Sequence, residues 1–266
     1  EKEAKEETFR MLDVYKQFLS DIFAIPVIAG QKTPSEKFAG AEATYSLELM
    51  MQDKKALQGC TTHYFGTKFA RAFDIKFQDR SGQMQYVYQT SWGLTTRVIG
   101  ALIMIHSDDQ GLVLPPKAAP TQVVIVPILQ KNKDNHEVLQ ASQRLCNEIR
   151  EKNVLVELDA RVEHSPGYKF NEWEIAGIPL RIEVGPRDLA SGHCVFATRL
   201  GAKSQVKLED AVSEVPKVLE QIQTTLYDRA AQFLKDNIRS EDNYPKFKER
   251  LESEEGFFRM HWCGSD

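Results

Sequence analysis

The run Val123-Val-Ile-Val-Pro-Ile128 carries no polar side chain. A strand with one wet face alternates, so a run without alternation needs cover on both faces. The segments after it supply that cover. Val138, Ser142, Leu145 and Ile149 recur at helical spacing within 135–152. Residues 154–158 then read as a strand, 165–176 as an aromatic helix or turn, and Leu180–Val184 and His193–Thr198 as two more strands. This β-α-β-α-β order predicts an α/β module with a mixed sheet. Residues 209–235 continue as one long amphipathic helix through Val212, Val215, Leu219, Ile222, Leu226, Ala230 and Phe233.

The chain ahead of that module has a different grain. Met11, Leu12, Tyr15, Phe18, Leu19, Ile22 and Phe23 mark a first amphipathic helix, which Pro26 helps to end. A polar loop spans 30–40. Short runs at 43–50, 56–61, 73–77 and 85–88 suggest an antiparallel sheet, with Phe73, Ile75 and Phe77 on the covered face of a half-buried strand. Residues 98–105 are apolar nearly all round, so a buried helix is expected there. Two alanines between prolines, at 116–120, set the main boundary. The expected regions are 1–116, 117–217 and 218–266, the last polar and helix-like up to Phe257-Phe-Arg-Met-His-Trp-Cys263.

A length of 266 residues leaves room for two domains. The net charge of −4 gives no global positive field, so any nucleic-acid contact has to be local. The four cysteines form no CxxC pair and read as free thiols in a reducing, cytoplasmic compartment. No signal peptide is visible, and the longest apolar run falls well short of the roughly 20 residues that cross a bilayer. Both ends look cut, which leads to the expectation of a fragment.

Candidate chemistry sits first in Thr90-Ser-Trp-Gly-Leu-Thr-Thr-Arg-Val-Ile-Gly100. A strand leads through Gly93, where the missing Cβ lets a ligand approach, to a helix whose first turn carries Arg97. A permanent cation beside free backbone N–H groups suits a polyphosphate. The plainer alternative is a core Trp92 and a solvated Arg97. Gln58-Gly-Cys-Thr-Thr-His63 supplies an amide, hydroxyls and an imidazole for a polar head group, or else a strand end that caps a helix. P-loop, dinucleotide-binding, nucleophile-elbow and zinc-protease signatures are absent from the sequence. In Ser165-Pro-Gly-Tyr-Lys-Phe-Asn-Glu-Trp-Glu174, Phe170 and Trp173 suit core packing, while Lys169, Glu172 and the later Arg187 suit contact with unpaired RNA bases.

Together these segments resemble prolyl-tRNA synthetases of the archaeal/eukaryotic-like type, a class II aminoacyl-tRNA synthetase family. Gln58–His63 resembles the family's Q-G-x-T-x-H segment, and Thr90–Arg97 with the following helix resembles class II motif 3. Gly111-Leu-Val-Leu-Pro-Pro116 resembles the exit from the catalytic core. Residues 165–174 and Arg181-Ile-Glu-Val-Gly-Pro-Arg187 resemble the anticodon-binding domain. The resemblance implies an α/β (α+β) fold. Part of an antiparallel catalytic core is followed by a mixed-sheet anticodon domain and a truncated C-terminal helical segment.

It also implies a reaction. Proline and ATP, with Mg²⁺, give prolyl-adenylate, and the prolyl group passes to tRNA(Pro) in protein biosynthesis. By resemblance, Arg97 and His63 are the catalytic candidates. Gln58, Thr61, Thr95 and Arg97 hold ATP, while His63, Trp92, Gly93 and Phe38 shape the proline pocket. Lys169, Glu172 and Arg187 touch tRNA. Family members are cytoplasmic homodimers, with no membrane segment. Motifs 1 and 2 do not match anywhere in this sequence, so the chain alone is expected not to activate proline. Cys263 resembles the first of four zinc ligands, so zinc is expected only in a longer protein. Two other readings stay open: an RNA-binding module at 118–217, and a catalytically silent synthetase-like regulator.

Overall fold

The computed structural model describes residues 1–130 and 133–264. It divides into two compact units. One holds residues 1–21, 25–105 and the chain from Ala230 on, and the other holds 22–24 and 106–229.

In the first unit, α1 (Lys2–Asp21) is followed by β1 (Ile28–Gln31), β2 (Ala43–Met50), β3 (Ala56–Gly66), α2 (Lys68–Ala72), β4 (Lys76–Gln78), β5 (Met84–Tyr86), β6 (Gln89–Leu94) and α3 (Arg97–His106). The strands β1-β2-β3-β6 form one antiparallel sheet in that order. The helix α1 covers one face of it. Leu12 and Leu19 are buried there, Phe9 packs on Tyr45 with ring centroids 4.7 Å apart, and the Thr8 and Thr90 hydroxyls share a hydrogen bond at 3.0 Å.

Two expectations fail in this unit. Phe73, Ile75 and Phe77 do not alternate into a core. Asp74 adopts a positive φ of 52°, the strand starts only at Lys76, and β4 and β5 form a two-stranded ribbon. A two-stranded ribbon has no third strand to help cover its side chains, and Phe73 is 71% exposed. The helix α3 is also not buried all round. Val98, Ala101 and Leu102 face inward, while Ile99, Ile103 and Met104 stay exposed.

In the second unit, β7 (Val123–Pro127), α4 (His136–Arg150), β8 (Val156–Leu158), α5 (Pro166–Ile175), β9 (Leu180–Val184), α6 (Pro186–Ala190), β10 (His193–Thr198) and β11 (Lys203–Lys207) lead into the long α7 (Leu208–Asp236). The sheet order is β11-β10-β9-β7-β8, parallel around β7 and antiparallel from β9 outward. Every residue of β7 is buried. Val123 and Ile125 join α4 and α7 in the main core, whereas Val124 and Val126 meet Phe170 and Trp173 of α5 on the other face. The helix α5 starts where Ser165 accepts from the Tyr168 N–H at 3.3 Å and Pro166 fills the first helical position.

The segment 106–116 belongs to this second unit, ahead of the boundary expected at 116/117, and the reason is physical. Arg199 donates to the carbonyls of Gly111 and Leu112 and pairs with Asp108. Gly111 (φ +135°) lies against the end of α5, where an added Cβ would stand 2.6 Å from Ile175 Cα. Gly177 (φ +75°) returns the approach, its Cβ position 2.7 Å from the Leu112 carbonyl oxygen. After α7, β12 (Ile238–Ser240), α8 (Tyr244–Ser253) and β13 (Phe257–Arg259) complete the described chain, with β12 and β13 paired in parallel.

Candidate functional site

The register of the first sheet sorts its side chains. On β3, Thr61 lies opposite Gly93 and Ser46, and His63 lies opposite Ser91 and Thr44. Directly opposed residues share a face, and neighbours along a strand take opposite faces. A bulge between Leu47 and Glu48 brings Glu48 opposite Gln58 on this same side. The face away from α1 therefore gathers Gln58, Thr61, His63 and Gly93 with Thr44, Ser46 and Glu48. Sequence reading missed those last three because each looks like an ordinary polar position in a strand.

This face is polar and open. A Cβ built on Gly93 or on Gly30 would meet nothing within 4 Å. Glu48 accepts from the Ser46 hydroxyl at 2.8 Å and pairs with Lys32 at 3.3 Å. His63 is fixed at both ends. Thr90 donates to its carbonyl at 2.9 Å, and Thr44 Oγ1 lies 2.9 Å from Nδ1. Phe38 packs beside it with centroids 5.1 Å apart, and Phe65 stacks on it at 5.9 Å. Burial pushes the His63 imidazole below its ordinary value, favouring the neutral ring. Phe38, a pocket candidate from sequence, is thus a direct neighbour of His63.

Trp92 requires a correction. It lies opposite Thr62, which is fully buried, on the face that α1 covers. A tryptophan next to Gly93 in one strand points to the other side of the sheet, so it cannot floor a pocket shared by Gly93 and His63. Three residues past the end of β6, Arg97 opens α3, its N–H bonded to Thr95 Oγ1 at 3.3 Å. Among the described residues, the exposed Arg97 guanidinium has no ion-pair or hydrogen-bond partner.

The second unit holds a charged cluster. Asp159, 4% exposed, accepts from Arg161 Nε at 2.8 Å and from the Trp173 indole at 2.9 Å. Burial works to raise its carboxyl, but the Arg161 and Trp173 hydrogen bonds and the Lys169 charge outweigh that and hold it well below the usual range. Lys169 turns inward, opposite to a surface lysine. It is 1% exposed, and its ammonium donates to the Asp159 carbonyl at 2.9 Å. It still lines one side of a hollow of about 590 Å³ with Gln130, Asn135, Glu163, His164 and Ser165. Glu172 is half exposed and pairs with Arg161. Arg187 lies exposed in the first turn of α6, with no partner among the described residues.

Cys263 is exposed, and no group of three or more His, Cys, Asp or Glu side chains among the described residues is placed to hold a metal. No helix among the described residues is long and apolar enough to cross a membrane.

Comparison with known proteins converges on one family. Residues 122–221 match the anticodon binding domain model. A proline–tRNA ligase of Prosthecochloris aestuarii is 47% identical over 266 residues, covering 99% of this chain and 54% of its own length. That of Chlorobaculum tepidum is 48% identical over 265 residues, with the same two shares. Proline–tRNA ligase 2 of Bacillus anthracis is 47% identical over 98% of this chain and 51% of its own length. The chain spans about half the length of the curated relatives it matches. With nearly all of its residues aligned and its second unit carrying the anticodon-binding match, this chain belongs to the prolyl-tRNA synthetase family.

Proposed function

We propose that this chain takes part in ligating proline to tRNA(Pro), contributing an ATP and proline face in its first unit and an anticodon reader in its second. The observation that carries the reading is 47% identity to a proline–tRNA ligase along 99% of the chain. ATP would be held by Gln58, Thr61, Thr95 and Arg97, and the Mg²⁺ that accompanies it would offset part of its negative charge. Proline would lie against Phe38, His63 and Gly93. The shared open face of Gln58, Thr61, His63 and Gly93 supports both assignments, and so does the unpartnered guanidinium of Arg97. Attack of the proline carboxylate on the α-phosphate needs positioning and charge stabilisation more than protein covalent chemistry, and such a face supplies them. The family reading also carries a cytoplasmic location, a homodimer and, in longer chains, zinc.

The anticodon of tRNA(Pro) contains two guanines. Glu172 and Arg187 offer an acceptor and a donor for guanine edges, and Lys169 lines a hollow with Gln130, Asn135 and Ser165. The test is binding of tRNA(Pro) against the same tRNA with the two guanines replaced. A preference of tenfold or more at fixed salt is expected from about 1–3 kcal/mol per base, and equal binding defeats the anticodon reading. The second reading, an RNA-binding module without ligase activity, is favoured by the restriction of the family-model match to residues 122–221. Proline-dependent ATP–pyrophosphate exchange separates the two, since only the ligase reading predicts that Arg97→Ala in the complete enzyme abolishes it.

A further inference from the structure

We infer that Thr44 is a positioning residue that fixes His63 in one tautomer, with Nδ1 as acceptor and the Nε2–H as the donor offered on the open face. Thr44 sits within β2, 3% exposed, directly opposite His63 in the register. Its Oγ1 accepts from the Phe38 N–H at 3.1 Å and lies 2.9 Å from His63 Nδ1. A threonine hydroxyl has one proton and two lone pairs. The Phe38 N–H takes one lone pair. If His63 donated from Nδ1, it would take the other, and the buried hydroxyl proton would have no acceptor among the described residues. A buried donor left unmade costs more than any single bond gained. Donation from Thr44 to Nδ1 satisfies all three groups, and a neutral ring then carries its proton on Nε2. Burial lowers the proton affinity of the ring and so keeps it neutral.

One hydroxyl therefore couples the 30–40 loop to the strand. It holds Phe38 and His63 as a pair whose rings lie 5.1 Å apart, one apolar wall and one neutral N–H donor. That pair suits a small ligand with an apolar ring, a cationic nitrogen and an acyl oxygen. The ring rests on Phe38, the oxygen accepts from Nε2–H, and a neutral imidazole does not repel the ammonium. This ligand class rests on the proposed proline site, whereas the tautomer rests on geometry alone.

The test is ¹⁵N NMR of the histidine side chains at neutral pH, with His63 assigned by its loss in His63→Gln. Wild type and Thr44→Ser should show the proton on Nε2. Thr44→Val should give mixed tautomers and speed amide exchange at Phe38 by about tenfold or more. A wild-type ring protonated on Nδ1, or a Thr44→Val ring still held wholly in the Nε2–H form, overturns the inference. If Thr44→Val does not fold, the wild-type and Thr44→Ser spectra decide alone. Absence of proline-dependent exchange in the unaltered complete enzyme, with its His63 ring protonated on Nε2, would sink the proline reading and leave the role of Thr44 standing.

Discussion

The Arg199 guanidinium grips the Asp108 carboxylate, 91 positions earlier in the chain, in a two-pronged pair with Nη1 3.0 Å from Oδ2. Its Nε reaches the Leu112 carbonyl at 2.9 Å and the Glu174 carbonyl at 3.1 Å. No lysine can reproduce that planar fork. Arg199→Ala is expected to lose about 2–3 kcal/mol of stability, the scale of charged hydrogen bonds, and Arg199→Lys is expected to recover little of it. Urea unfolding measures both. Loss confined to a few tenths of a kcal/mol would show that the fork is not a clamp.

Asp159 is the partner that keeps a buried ammonium satisfied. Asp159→Ala should cost about 3–5 kcal/mol, because it removes the carboxylate 3.5 Å from the buried Lys169 ammonium and leaves that charge only the backbone carbonyl. Lys169→Met should cost less, because Asp159 keeps Arg161 and Trp173. The pH dependence has a defined sign. The folded carboxyl lies below its ordinary 3.8, so its contribution is complete above that pH and drains away as the solution is acidified further. Acid unfolding of Asp159→Asn should lack this component.

His106 works in a different window. Burial lowers its pKa from 6.5, against the opposing pull of the Phe23 and Ala24 carbonyls, and its Nε2 lies 2.9 Å from the Phe23 carbonyl oxygen. A depressed folded value means stability that is full above pH 6.5 and falls as the ring is forced to protonate. Thermal melts between pH 7.5 and pH 5 should therefore slope downward. His106→Gln, which keeps an N–H donor without the titration, should flatten that slope. An unchanged slope would assign the acid sensitivity elsewhere.

Gly93 separates folding from function. A Cβ there meets nothing, so Gly93→Ala should change stability by no more than about 0.5 kcal/mol. It should nonetheless weaken ATP or proline binding in the complete enzyme, because the methyl enters the space the ligand needs. Arg97→Ala should be equally quiet in folding and cost about 100-fold or more in pyrophosphate exchange. A Gly93→Ala enzyme with normal KM values for both substrates would remove that face from the site.

Much of this architecture was legible in the residues. Leu180–Val184, His193–Thr198 and Ala43–Met50 match their runs of apolar and alternating side chains end to end. The unbroken apolar run of β7 did require cover on both faces. What failed were inferences about the second side of an element. The α3 apolar surface is covered on one side only, and alternation at 73–77 does not show that anything lies beneath it. Trp92 and Lys169 fail for a related reason. Neither a place beside Gly93 nor a basic side chain in an aromatic segment says which way a side chain turns until strand register and helix packing are known. Thr44, Ser46 and Glu48 became visible only through pairing with β3.

A side chain on Gly111 would run into the Ile175 backbone, and one on Gly177 would run into Leu112, so each segment crosses the other where only a glycine fits. Neither position can accept a larger residue, since backbone of Ile175 stands against the first and backbone of Leu112 against the second, and no substitution trims backbone. A saturation library of this chain should show two intolerant columns 66 positions apart (177 minus 111), recovered by no second-site change nearby. Any selection for heat resistance will have to leave that crossing as it is.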